Sequence, residues 1–243
     1  MEAWGLTDPG MVREQNQDSY DIVQMDDGAL LCIVCDGMGG AKSGNVASRL
    51  ACEVFVNEVQ RIYRHGSGEE AVKQALLAAA SLANTTVFEQ SKLGSDFDGM
   101  GTTLVAAMVW PEYTLVANIG DSRAYHLNPE GIHRITTDHS VVEDMVRRGE
   151  LTPQQARVHP RKNLITRAVG TESRVKCDLF RQNLTAGDYL LLCSDGLSNV
   201  VTEQEILFEV VHGVERDSCC QRLITIANNA GAPDNVTTIL VAV

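Results

Sequence analysis

Aspartates recur at the ends of apolar stretches in this sequence. LLCIVC runs into Asp36-Gly37, TLVANIG into Asp121, and YLLLCS into Asp195-Gly196. Asp18 in REQNQDSY stands just ahead of the first predicted strand, and Asp234 in GAPDN just ahead of the last. One Asp-Gly at a strand end is an ordinary turn. Five aspartates so placed would repel one another if they converged, and in a partly dry site their pKa values would rise. A divalent cation relieves that repulsion. An all-oxygen set without clustered His or Cys selects hard ions, Mg2+ or Mn2+. Glycine after an aspartate lets a backbone carbonyl approach an ion closely.

The stretch CDGMGGAKSG, residues 35 to 44, invites comparison with the phosphate-binding G-x-x-x-x-G-K-[ST]. The fit fails, because Asp36 and Ala41 stand where that motif needs glycines. Lys42 is then a solvated residue near the start of a helix.

The elements around these residues are legible from periodicity and turn residues. YDIVQM, DDG and ALLCIVC read as strand, turn and strand. TTLVAAMVW, PEY and TLVANIG form a second hairpin, and RAYHL, NPEG and IHRIT a third. Val46, Leu50, Val54, Val59 and Ile62 predict a helix over about 44–64. Val72, Leu76, Ala79 and Ala83 mark one face of a helix over about 69–92. VKCDLF and YLLLCS are later strands. Thr202 with Glu205 is a capping box opening a helix that Gly213 ends as a C′ glycine. A helix over about 217–230 and the strand VTTILVAV complete the chain. Hairpins in succession imply antiparallel sheets packed together with helices outside. This also counts against the phosphate loop, which belongs to a largely parallel sheet.

The 243 residues, 44% hydrophobic and 21% charged, fit one globular domain. A net charge of -12 excludes a general nucleic-acid binder. The N-terminal MEAWGLTDPG has no basic and apolar signal regions, and no apolar run approaches the length of a membrane span. A cytoplasmic location is expected. Seven cysteines, several within apolar runs, read as buried thiols in a reducing compartment. Cys32-x-x-Cys35 lacks a second ligand pair for zinc. No cysteine begins a C-x5-R: six residues beyond Cys193 stands Asn199. A cysteine-based phosphatase is therefore excluded.

Eight stretches now assemble in order: VREQNQDSY, VCDGMGG, GMGTTLVAA, NIGDSRAYH, TTDHS, NLITRAVG, LLCSDGLSN and PDNVTTILV, covering residues 12 to 241. In these the chain resembles the metal-dependent Ser/Thr protein phosphatases of the type 2C (PPM) family, in their short bacterial form. The resemblance implies an α+β fold, a four-layer sandwich of two antiparallel β-sheets flanked by α-helices on both sides. It implies a single catalytic domain over 1–243, acting on phosphorylated proteins as a monomer and opposing a cognate Ser/Thr protein kinase. It implies two or three Mn2+ or Mg2+ ions. Asp36 would bridge two of them, with the Gly37 carbonyl on one and Asp195 and Asp234 on the other. Asp121, with Asp195, would bind a third. Asp18 would act mostly through water, Arg13 would grip the substrate phosphate, and Asn235 would set the geometry around Asp234. An ion-activated water would then attack phosphorus in line. Animal members carry a histidine proposed as general acid where this chain has Met38. His139 and His159 are read as ordinary hydrogen-bonding residues.

The same resemblance implies a mobile flap at about 140–170. Residues 147 to 167 carry six basic residues and one acidic, on a chain that is otherwise acidic. Thr152-Pro153 starts a helix and Pro160 breaks the segment. Arg157, Arg161 and Lys162 are the candidates for steering phosphoprotein substrates.

Overall fold

A computed structural model describes residues 1–39 and 43–243; Lys42 lies outside the described residues. In chain order the strands are β1 (Glu2–Asp8), β2 (Asp18–Gln24), β3 (Leu30–Met38), β4 (Gly101–Thr102), β5 (Leu104–Val109), β6 (Tyr113–Ile119), β7 (Arg123–Asn128), β8 (Gly131–Arg134), β9 (Asp178–Asn183), β10 (Tyr189–Cys193) and β11 (Val236–Ala242). The helices are α1 (Gly44–Ile62), α2 (Glu69–Ser91), α3 (Val141–Arg147), α4 (Pro153–Arg157), α5 (Asp195–Ser198), α6 (Glu203–His212) and α7 (Cys219–Asn229).

Two antiparallel sheets result, ordered β1-β11-β10-β7-β8 and β2-β3-β5-β6-β9, with β4 also paired to β3. Their apolar runs are continuous because both faces of each sheet are covered. Along β3, Leu30, Cys32 and Val34 point between the sheets, and Leu31, Ile33 and Cys35 point to α1 and α2. Along β10, Leu190 and Leu192 face the other sheet, and Leu191 and Cys193 face α6 and α7. The layers are therefore helix, sheet, sheet, helix, as the hairpin pattern predicts.

Several elements differ from expectation. The strand β1 was not predicted, so Asp18 opens the second strand instead of preceding the first. EAWGLTD carries a glycine mid-run, and as an edge strand pairing only β11 it buries no residue fully. The buried stripe of α1 is Ala47, Ala51, Phe55 and Val59, while Val46, Leu50 and Val54 flank it half-buried. The inner face is thus turned by one position, placing Ala47 and Ala51 in line with the large, fully buried Phe55. VKCDLF is displaced: its strand is β9, whose polar end pairs only with β6 at the sheet edge. Gly213 ends α6, but in extended conformation (φ -62°, ψ 141°). A Cβ there would lie 2.3 Å from the Glu209 carbonyl oxygen, so close approach and not a left-handed turn requires glycine.

The segment TTLVAAMVW also divides. Thr103 separates β4 from β5, and the break falls opposite Asp36. Thr103 Oγ1 accepts the Asp36 N–H at 2.9 Å, and the Asp36 carbonyl accepts from Thr103 N–H and from Thr102 Oγ1, each at 2.9 Å. Three hydrogen bonds thus fix the backbone of one aspartate at the end of β3.

Candidate metal centre

Sheet register gathers the aspartates. Asp18 opens β2 directly across from Asp36 on β3. In the other sheet β10 lies beside β11, with Cys193 opposite Thr238. Asp195 just after β10 and Asp234 just before β11 therefore share one end. Gly196 is required there, since a Cβ would lie 1.9 Å from the Asn235 carbonyl oxygen. Gly37 is required for a related reason: its Cβ would lie 2.2 Å from Gly44 O and 2.4 Å from Gln17 O. Its missing side chain lets the loop before β2 and the start of α1 close onto β3.

Asp18 is buried. Its Oδ2 accepts from Thr237 Oγ1 at 2.6 Å and from Ser194 Oγ at 2.8 Å. Asp195 Oδ2 accepts from Asn199 at 2.9 Å. The second oxygens, Asp18 Oδ1 and Asp195 Oδ1, are buried with no hydrogen-bond partner. Burial, with the nearby charges of Asp195 and Asp234, pushes the Asp18 carboxyl up to about 7 despite its hydroxyl partners. Burial and the charges of Asp18, Asp195, Asp121 and Asp234 raise Asp36 well above the usual carboxylate range. Burial and Asp195 do the same to Asp121. Asp195 is raised by burial and by Asp234, against a hydrogen bond with Asp36.

These residues fit divalent cations. Among the described residues no three His, Cys, Asp or Glu side chains already stand around one point. Hard ions keep several waters and accept one or two carboxylates plus carbonyl oxygens, so a closed cage is not required. Orphaned buried oxygens and mutual repulsion are the features a cation relieves.

Arg13, in the loop between β1 and β2, and Asn235, just before β11, meet at this edge. Arg13 NH2 donates to Asp234 Oδ2 at 2.8 Å, with the arginine side chain 54% exposed. Asn235 is buried and spans the loop: Oδ1 accepts Gln17 N–H at 2.8 Å, and Nδ2 donates to Pro9 O and Gln15 O, both at 3.0 Å. It positions the segment carrying Arg13 and Asp18 more than it positions Asp234.

On the other side, Asp121 follows Gly120, whose positive φ of 107° suits glycine. His139 is buried and holds this turn: its Nδ1 accepts Gly120 N–H at 3.0 Å and its backbone N–H donates to Gly120 O at 2.9 Å. Its Nε2 lies 3.0 Å from Asp178 Oδ2 and 2.8 Å from the Arg167 guanidinium. Both ring nitrogens are committed, and His139 has no free proton for a leaving group. His159 Nδ1 accepts Arg161 N–H at 3.1 Å.

Asp121 and Asp195 line a groove of about 330 Å3, whose lining also includes Arg157 and Lys162. The expected helix start at Thr152-Pro153 is α4, where Thr152 also forms a capping box with Gln155. Arg161 is exposed and does not line the groove. Residues unremarked in the sequence matter here. Arg123 binds Asp138 through three contacts of 2.6 to 3.1 Å. Arg134 links Asp138 (3.6 Å) to Glu143 of α3 (3.0 Å). The flanking motifs GDSR and TTDHS contain Arg123 and Asp138, but only the pairing of β7 with β8 brings them together.

Comparison with known proteins gives one answer throughout. A family model described as "Protein phosphatase 2C" matches residues 12–224. The serine/threonine phosphatase stp of Listeria monocytogenes is 36% identical over 241 residues, 99% of this chain and 95% of its own length. The protein phosphatase PhpP of Streptococcus pneumoniae is 35% identical over 255 residues, covering 100% and 97%. The crystal structure of serine/threonine phosphatase Stp1 from Staphylococcus aureus superimposes with a TM-score of 0.94 at 36% identity, covering 100% of this chain and 94% of that one.

Proposed function

The chain belongs to the protein phosphatase 2C family, and from that premise we propose how its carboxylate edge hydrolyses phosphoserine and phosphothreonine in proteins. The observation that carries the reading is the set of buried, mutually repelling aspartates with unpartnered oxygens. Asp36, the Gly37 carbonyl, Asp195 and Asp234 would hold two ions, Mn2+ or Mg2+. Asp121 beside Asp195 would hold a third, and Asp18 would act through water. Divalent ions bound there supply Lewis acidity and water acidified toward neutral pH. Arg13 turns its fork from Asp234 to the nonbridging phosphate oxygens, a geometry suited to arginine. Thr102 and Thr103 hold Asp36 still, and Ser194 and Thr237 hold Asp18. No thiol takes part: burial pushes the Cys193 thiol up to about 12, which leaves it inert at neutral pH. The opposing enzyme is a Ser/Thr protein kinase. No helix among the described residues is long and apolar enough to cross a membrane. A cytoplasmic monomer is the form we assign.

The test is hydrolysis of p-nitrophenyl phosphate and of a phosphothreonine peptide. Both are expected to require added Mn2+ or Mg2+ and to stop on chelation. Full turnover by protein shown to be free of metal would refute the assignment of the aspartates.

Arg157, Arg161 and Lys162 belong in this proposal as the steering face of a mobile flap. Replacing the three by alanine is expected to lower kcat/KM for the peptide about tenfold at low salt, with a smaller effect on p-nitrophenyl phosphate. The difference is expected to shrink at high salt. Equal losses on both substrates would remove the flap from peptide recognition.

A further inference from the structure

A second basic cavity lies off the main groove, built from residues with no part in the chemistry above. Its volume is about 170 Å3, and its walls include Arg167, Arg174 and Lys176, with Thr171 and Glu172 between them. Its base is fixed. Val169 and Thr102 exchange backbone hydrogen bonds of 3.0 and 2.8 Å. The buried Asn84 of α2 accepts Gly170 N–H at 2.8 Å and donates to Glu172 O at 3.0 Å. Gly170 has φ +87° and packs on Val87, where a Cβ would meet Cγ1 at 2.2 Å. The loop is thus held in one conformation before any ligand arrives.

Charge in the cavity is not balanced internally. Arg167 lies 3.3 Å and Lys176 3.0 Å from the same carboxylate, Asp178. Glu172 is the one acid in the lining. Arg174 is exposed and, among the described residues, makes no ion pair.

The cavity also has a definite place relative to the carboxylate edge. Thr171 Cγ2 and Met38 Cε each come to 2.9 Å from the position a Gly101 Cβ would occupy. Met38 ends β3, just beyond Asp36 and Gly37. Met38 and Thr171 thus meet beside Gly101, the first two residues beyond Asp36 and the second three residues before Arg174, so a peptide with its phosphate at Asp36 would reach the cavity by crossing this pair.

We infer that this cavity is a second anion subsite, which takes a negatively charged side chain flanking the phosphorylated residue, either a carboxylate or a second phosphate. The inference rests on the phosphatase assignment. A free arginine fork on a loop whose base is fixed suits either group. Its exposure limits the gain to that of a surface ion pair.

The experiment measures kcat/KM with Mn2+ for three phosphothreonine peptides of equal length: one with neutral flanks, one with Asp and Glu flanks, and one with a second phosphothreonine. Wild-type protein, Arg174→Ala and Arg174→Lys are compared. Wild type is expected to favour a charged peptide over the neutral one by about fivefold at low salt. Arg174→Ala is expected to bring that ratio near one, and Arg174→Lys to retain part of it. Preference confined to the acidic peptide identifies side-chain carboxylates as the ligand; preference confined to the doubly phosphorylated peptide identifies phosphate. A ratio near one in wild type, or an unchanged ratio in Arg174→Ala, would overturn the subsite. Failure of wild type to hydrolyse p-nitrophenyl phosphate with Mn2+ would instead overturn the phosphatase assignment.

Discussion

Asp36→Asn is expected to cut turnover by at least about a thousandfold, roughly 4 kcal/mol of transition-state stabilisation, while the metal-free protein becomes more stable. The two effects have one origin. In the metal-free protein Asp36 feels the charges of Asp18, Asp195, Asp121 and Asp234, and asparagine keeps its shape without its charge. Removing that repulsion is expected to raise the metal-free melting temperature by about 3 °C, taking roughly 1 kcal/mol of relief. Added Mn2+ should then stabilise the wild type more than the variant, because binding to the native state adds stability that grows with the logarithm of affinity. Melting curves with and without Mn2+, beside a turnover assay, separate the possibilities. A large loss of metal-free stability in Asp36→Asn would identify the residue as a structural turn aspartate instead.

The carboxylate edge is legible in the sequence because a strand covered on both faces must be an unbroken apolar run. LLCIVC, TLVANIG and YLLLCS are such runs, and the polar residue that ends each is conspicuous. The partners of those aspartates are not legible. Ser194 and Thr237 both serve Asp18, but nothing local marks them, and only the pairing of β10 with β11 and the stacking of the two sheets brings them in. The division of TTLVAAMVW at Thr103 escapes notice for a similar reason. Its composition favours one strand throughout, and the break is imposed by hydrogen bonds to Asp36. On α1 the apolar residues at 46, 50 and 54 mimic a buried face. The buried stripe lies one position on, at Ala47, Ala51 and Phe55. In the flap, charge and the Thr152-Pro153 start are visible in the sequence. Which basic residues reach the groove is not, since that depends on where α4 is set down: Arg157 and Lys162 line it and Arg161 does not.

Asn235→Ala is expected to act in the opposite direction on stability, destabilising the protein with or without metal by about 3 kcal/mol. Asn235 is buried and ties Pro9, Gln15 and Gln17 to the start of β11. Alanine leaves one N–H and two carbonyls of that loop without their partner, and each buried orphan costs about 1–3 kcal/mol unless water replaces it. A loss of this size lowers the melting temperature of a domain of this length by roughly 6–12 °C. Asn235→Asp is not a remedy. It preserves the acceptor for Gln17 but places a charge against the Pro9 and Gln15 carbonyl oxygens, beside Asp234. The loop it releases carries Arg13 and leads directly into Asp18 at the start of β2. Where Asn235→Ala remains folded, KM for the phosphopeptide is therefore expected to rise as Arg13 loses its fixed position. Asp36→Asn should instead reduce kcat. A melting temperature unchanged by Asn235→Ala would show that the loop is held by its other contacts, among them Met11 N–H to Ala232 O at 3.0 Å and Arg13 to Asp234.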